Sequence, residues 1–577
     1  MIRMAQSQKG PSESPGAGIL NDINIDWRHS HEGRCLQPGA ETTSGGPGSK
    51  RYHLRSNPSP TPVNMLRFPR CSPGLLALPL VALGLLLAVL LLRTYSSQGP
   101  TAGPVWGPSK QLPLEPGTDE KGIWKENLKG AIRIPTVSFS KDDLNTTAME
   151  EFNIYIKKVF PGLFSCSFIQ HEIIGGYSHL FSVKGSDPHL EPYMMLAHSD
   201  VVPASDEGWN YPPFAAKEVD GFIYGRGTLD DKGSAIGILQ ALDFLLKIKF
   251  RPQRSFYVGI GHDEEVYGHR GAQQIAARLE AQGVRLSFLT DEGLAILDRV
   301  IQGMNHPIAL IGTTEKGHIT MTLSVEMKPG HSSIPPRDTS IGILAAAVSR
   351  LEQNPMPNLF GSGPERATFE QLAPEFSFPI NVIMSNLWLF APLVSRILEG
   401  KPSSNAMVRT TTAVTMFHAG VKSNIIPPSA SATVNFRIHP AHTVQEVIDI
   451  VKHTISDDRV KITIASAFDP LPVSPYDEKS FGYQIVGRTI RDVFSEITFA
   501  PGVCVGNTDS RHYVRLTQSI YRFSPIWLKP EDVSRIHGVN ERISVQGYEL
   551  LVHFYLQLIQ NAETEVLPPP HRESHEL

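Results

Sequence analysis

From about residue 120 onward, short apolar runs alternate with helical patterns. Residues 193–197, 255–261 and 286–290 are continuous apolar runs of strand length and predict buried strands. Residues 234–246 place Ile236, Leu239, Leu242 and Leu246 at helical spacing and predict a helix. Strands alternating with helices imply an α/β fold with a mostly parallel central sheet. Between about 316 and 468 the rhythm changes. Alternating runs at 318–327, 411–417, 430–438 and 460–465 predict strands, and 339–351 and 444–452 predict helices. That β-α-β-β-α-β order predicts an α+β, ferredoxin-like unit with its helices on one face. It would divide an α/β catalytic domain into two parts, 119–315 and 469–562, a helix at 485–494 marking the return. Residues 354–407 read as an extra segment within the inserted unit, with amphipathic stretches at 369–372 and 387–398.

The N-terminal part follows a different pattern. Residues 1–70 are rich in Gly, Pro and polar residues without apolar periodicity, which predicts disorder. Residues 74–92 then run without a charge, long enough to cross a bilayer. Arg67 and Arg70 before it and Arg93 after it favour a cytoplasmic N-terminus. Read from Met65, the same stretch is the h-region of a signal peptide. Either version sends the remainder into the secretory pathway, as a secreted protein or a single-pass type II membrane protein. The Asn145-Thr-Thr sequon agrees with that, as a glycosylation site. Residues 95–118 read as a linker and 563–577 as a disordered tail.

Composition is that of a globular protein, 41% apolar and 19% charged. A net charge of −4 without a Lys/Arg stripe argues against a nucleic-acid partner. Four cysteines (Cys35, Cys71, Cys166 and Cys504) are too few for a disulfide scaffold or a Cys-based zinc site.

Acid- and imidazole-rich stations carry the chemistry: His198-Ser-Asp200, Asp230-Asp231-Lys232-Gly233, Asp263-Glu264-Glu265, Asp291-Glu292-Gly293 and, far downstream, Ile536-His537-Gly538. Several follow a predicted strand directly, at the edge where open α/β sheets place their sites. Imidazoles and carboxylates in this number suit two closely spaced divalent cations sharing a bridging carboxylate. Asp230 is the natural bridge, His198 and Asp291 would complete one metal shell, and Glu265 with His537 the other. Asp200 would orient the His198 imidazole. Glu264 is left to take the proton of the attacking water and pass it to the leaving nitrogen.

The series Ala-His-Ser-Asp, Gly-Arg-Gly-x-x-Asp-Asp-Lys-Gly, Asp-Glu-Glu, Asp-Glu-Gly and Ile-His-Gly resembles the dinuclear-zinc peptidase family of aminoacylases, carnosinase-type dipeptidases and carboxypeptidases. The resemblance covers about residues 120–562. Stretches such as Gly330-His-Ser-Ser and Gly506-Asn-Thr-Asp-Ser-Arg511 are similar to its vertebrate branch acting on N-fatty-acyl amino acids. It implies a zinc-peptidase-like catalytic domain with two Zn2+ per subunit and an inserted lid through which two copies can dimerise. It also implies that His331, from the lid, stabilises the oxyanion, and that Asn424 and Arg437 hold the substrate carboxylate. The implied activity is cleavage of N-fatty-acyl amino acids, and condensation in reverse; a carboxypeptidase or dipeptidase acting on small peptides is the rival.

Overall fold

The computed structural model describes residues 73–96, 115–304, 306–495 and 497–563. The expectations for 1–70, for most of the 95–118 linker and for the tail beyond 563 fall outside the described residues. Two compact units divide the chain at Arg93–Thr94. In the first, helix α1 (Pro73–Ser96) contains the 74–92 run, and its Pro79–Ser96 stretch is long and apolar enough to cross a membrane.

The second unit is built on two sheets. The larger takes β1 (Ile169–Ile174), β2 (Ser178–Val183), β3 (Tyr193–His198), β4 (Phe256–Gly261), β5 (Leu289–Leu297) and β6 (Ile308–Glu315). The smaller takes β7 (Gly317–Glu326), β8 (Thr411–Ala419), β9 (Ser429–Ile438) and β10 (Lys461–Phe468). The chain then returns to the larger sheet with β11 (Thr498–Cys504) and β12 (Ile520–Leu528).

The larger sheet has the order β11-β6-β12-β5-β3-β4-β2-β1. Its centre, β12-β5-β3-β4, is parallel, whereas β1 and β2 add on as an antiparallel hairpin. The sheet is therefore mixed, because the three-residue link joining β1 to β2, residues 175–177, leaves no room for a crossover helix. Helix α2 (Lys232–Lys247) is buried along most of its length and lies against α6 (Val545–Asn561). Gly237 permits that approach: a Cβ there would collide with Leu551. In the core below, Tyr193 stacks on Phe288 with ring centroids 5.0 Å apart.

The smaller sheet is antiparallel in the order β8-β9-β7-β10, the arrangement expected of a ferredoxin-like β-α-β-β-α-β unit. Ile319, Met321, Leu323 and Val325 alternate along β7 and pack under α3 (Ser340–Gln353) and α5 (Val444–Ile455) in a core of their own. Thr443 and Glu446 close a capping box at the start of α5. Between α3 and β8, residues 354–407 form short helices and α4 (Leu387–Leu398). Their apolar residues, including Phe369, Phe376, Leu387 and Val394, join the core of the larger sheet instead. Thr368 anchors the segment by donating to the Pro501 carbonyl of β11 at 2.6 Å. The segment interrupts the sequence of the smaller sheet yet packs on the core of the larger one. On α4, Trp388, Leu389 and Leu393 stay exposed.

Candidate metal centre

His198 is the last residue of β3, and Glu264 and Glu265 begin a single 3-10 turn just beyond β4. Asp230 closes the 225–230 loop leading into α2, and His537 lies in the loop after a short helix, Pro530–Val533. The first two follow from parallel neighbours β3 and β4 ending at the same edge. The other two stations arrive there because β12 runs parallel to β5 at the sheet's centre and α6 packs on α2.

These stations converge. His198 Nε2 lies 3.0 Å from Asp230 Oδ1, and His537 Nε2 lies 2.9 Å from Asp230 Oδ2. One Asp230 carboxylate thus stands between two imidazoles, as expected of a bridge. His537 Nε2 is also 3.2 Å from Glu265 Oε2. His198 Nδ1 donates to the Asp200 carbonyl at 3.0 Å, which turns Nε2 into the site. The Asp200 carboxylate accepts from the Glu264 and Glu265 amides at 3.1 and 3.2 Å and from Ser138 Oγ at 2.7 Å. Asp200 therefore holds both the histidine and the acidic turn.

β5 departs from expectation. It runs from Leu289 to Leu297, so its acidic pair lies inside the strand instead of at its end. Glu292 Oε1, not Asp291, is the carboxylate within 3.3 Å of His198 Nε2. Asp291 instead accepts from the Ser510 amide at 2.8 Å. The register explains the approach of Glu292. Asp291 pairs with Arg522 and Leu294 with Phe523, so Glu292 and Gly293 bulge out of the ladder and the alternation of faces breaks there.

The resemblance-based residues sit apart from the cluster. His331 and Asn424 are exposed neighbours on the lid, the Ser332 amide donating to the Asn424 carbonyl. Arg437 is on β9 and donates to Asn507 Oδ1 at 2.8 Å. Asn145 is half-buried; its side chain caps the helix Thr146–Val159 and donates to the Pro135 carbonyl at 3.0 Å. Cys166 and Cys504 are free thiols.

Other residues shape the site without carrying a recognisable motif. Fully buried Glu541 accepts from the amides of Gly227 and Leu229 at 3.0 and 2.7 Å and pairs with Arg226 at 2.6 Å. It thereby fixes the loop that presents Asp230, with Gly227 at a φ of 91° in its turn. Lys232 Nζ reaches into the core to the carbonyls of Ala131 and Ile134, and burial lowers its pKa to about 7. Behind β5, Glu315 pairs with Arg522 at 2.7 Å and accepts from Thr508, next to the Ser510 that binds Asp291.

Electrostatics show what the cluster lacks. Burial, then repulsion from Glu292, raises the Glu264 carboxyl well above the usual range. Burial, then Asp230, does the same to Glu292. Burial opposes charge on His537, but hydrogen bonds to Asp230 and Glu265 outweigh it and raise its pKa to about 11. A buried excess of carboxylates over imidazoles calls for cations. The donors fit them. Ligand atoms of His198, Asp230 and Glu265 lie within 4.8 Å of one another, as do those of His198, Asp231 and Glu292. Asp231 Oδ1 and Glu265 Oε1 are buried without a hydrogen-bond partner.

A profile of peptidase family M20/M25/M40 matches residues 194–561. The chain is 64% identical over 503 residues to the N-fatty-acyl-amino acid synthase/hydrolase of Xenopus tropicalis, covering 87% of this chain and 98% of that protein. It is 56% identical to the Homo sapiens protein of the same name, over 84% of this chain and 98% of that one. Among solved structures, an M20 family metallo-carboxypeptidase of Sulfolobus solfataricus superposes with a TM-score of 0.54 at 18% identity, covering 78% of this chain and all, 100%, of the other.

Proposed function

This chain belongs to peptidase family M20/M25/M40, and we propose that it hydrolyses N-fatty-acyl amino acids to a fatty acid and an amino acid, and condenses them when both accumulate. The observation that carries the reading is the closure of His198, Asp230, Glu265 and His537 into one cluster with Glu264 half-buried at its side. That cluster occurs in a chain so similar to proteins named for this reaction.

We assign two zinc ions to the cluster: one to His198, Asp230 and the acidic pair of β5, the other to Asp230, Glu265 and His537. Bound there, zinc would polarise the amide carbonyl and lower the pKa of water. Glu264 takes the water's proton on its carboxylate and delivers it to the leaving nitrogen. Asp200 keeps Glu264 in place through its backbone amide. His331 donates to the developing oxyanion once the lid closes, from its own subunit or, in a lid-paired dimer, from the other. Arg437 and Asn424 receive the substrate carboxylate; the planar guanidinium matches its two oxygens. Helix α1 acts as a signal or an anchor that delivers the enzyme to the secretory pathway, where Asn145 is an acceptor for glycan.

Turnover of N-oleoyl-phenylalanine by the purified, zinc-loaded protein, set against a dipeptide panel, tests this reading. Cleavage of the acyl amino acid and not of the dipeptides is expected. The opposite preference would make the chain a peptidase.

A further inference from the structure

A cavity of about 450 Å³ lies between the two sheets. Tyr267 and Arg511 line it from the catalytic side, and His318, Ser466, Phe468 and Leu471 from the lid side. His318 of β7 pairs in register with Arg437 of β9 on one flank and with Phe468 of β10 on the other. Directly opposed residues on neighbouring strands share a face, so Arg437, His318 and Phe468 form one row at the cavity's edge.

Arg437 and Arg511 are joined by one short loop. Arg437 Nη1 donates to Asn507 Oδ1 at 2.8 Å, and Asn507 stands just before the 3-10 turn Asp509–Tyr513 that carries Arg511. Among the described residues neither guanidinium forms an ion pair; the Asp509 carboxylate, two residues from Arg511, acts on it through space without a hydrogen bond. Arg437 is held by a neutral amide, and Arg511 Nη2 is buried without any hydrogen-bond partner. Arg511 also lies over the Tyr267 ring, 5.8 Å from its centroid. Between them sits His318, only 4% exposed, with Nδ1 unpartnered and Nε2 shared with Thr320 Oγ1 at 2.9 Å. Burial and the two arginines lower its pKa to about 4, so it is neutral at physiological pH. Unpaired, partly buried arginines are costly unless an anion reaches them.

We infer that Arg511 is a second carboxylate-binding residue, gripping with Arg437 the carboxylate of the amino-acid moiety, whose side chain enters the cavity between Tyr267 and Phe468. This rests on the reading proposed above and extends it to amino-acid selection. Two guanidiniums approaching from opposite sheets engage both carboxylate oxygens, which fixes the Cα and aims its side chain. Phe468, Tyr267 and Leu471 offer apolar surface to an aromatic or large aliphatic side chain, while the same guanidiniums repel a basic one.

Kinetics of the full-length, metal-loaded protein decide the matter. Arg511→Met is compared with wild type on N-oleoyl-phenylalanine and on its neutral amide, N-oleoyl-phenylalaninamide. The acid-to-amide ratio of kcat/KM falls about thirty-fold, chiefly through KM, as loss of a charged hydrogen bond requires. Arg511→Lys, which keeps the charge but not the fork, recovers part of it and also serves if the Met variant does not fold. An equal loss on acid and amide, or no change in the ratio, overturns the assignment. Ser466→Trp, which fills the cavity from an exposed strand, lowers the phenylalanine-to-glycine ratio among N-oleoyl substrates about ten-fold; an unchanged ratio places the side chain elsewhere. If wild type cleaves no N-oleoyl amino acid, the proposed function fails on its own. Thermal shifts by N-acetyl-phenylalanine against its amide then decide the role of Arg511.

Discussion

Glu541→Gln is a small change in shape with a large expected cost. Oε1 of Glu541 accepts from the amides of Gly227, Leu229 and Asp230 at 3.0, 2.7 and 3.3 Å, and Oε2 pairs with Arg226 Nη1 at 2.6 Å. Both oxygens thus face donors. A glutamine must turn its NH2 toward one of them, creating a donor–donor contact in a site with no water access. If the NH2 faces Arg226, the guanidinium, only 3% exposed, is left without its counter-charge. If it faces Leu229, the backbone of the Asp230 loop loses its acceptor. Breaking one partner of a buried pair costs ~3–5 kcal/mol, and orphaned amides add to that. Urea unfolding of purified wild type and variant measures the loss, and zinc titration of the folded variant should show affinity about ten- to a hundred-fold weaker. Arg226→Met added to Glu541→Gln should recover more than ~1 kcal/mol, because the unpaired charge is then gone. A single variant within ~1 kcal/mol of wild type, with unchanged zinc affinity, would refute the view that Glu541 holds the bridge in place.

Glu264→Gln should retain its metal, measured by elemental analysis, while kcat falls about 10²- to 10⁴-fold; near-normal turnover would remove Glu264 from proton transfer. Lys316 donates to the carbonyls of Ala406 and Arg409, and burial lowers its pKa from 10.5 to about 7. Between those two values the unfolded chain binds the extra proton, so this lysine's contribution to stability rises with pH across that window. Wild type should therefore gain stability relative to Lys316→Met on going from about pH 7 to about pH 9, within the lower part of that window, as read by urea midpoints; a parallel pH profile would contradict the shift.

The strand pattern was legible because its cause is local. Residues 193–197, 430–438 and 444–452 each carry a clear period, and the structure places strands or helices there within a few residues. Ligand-type residues at His198, Asp230, Glu265 and His537 were legible for the same reason: each sits beside a turn with its own composition signal. The approach of Glu292 to His198 was not, since a bulge cancels the alternation that assigns faces. Nor was Glu541, whose role depends on Arg226 and a loop distant in sequence. The helical insert at 354–407 misled through chain order; most of its apolar residues join the larger core, while the smaller sheet fills its own core almost without them.

An anomalous difference map at the zinc edge, from crystals of protein purified with zinc, tests the central claim most directly. Two peaks within about 4 Å of each other are expected, both in reach of Asp230, one beside His198 and the other beside His537. A single peak, or none among these side chains, would contradict the account.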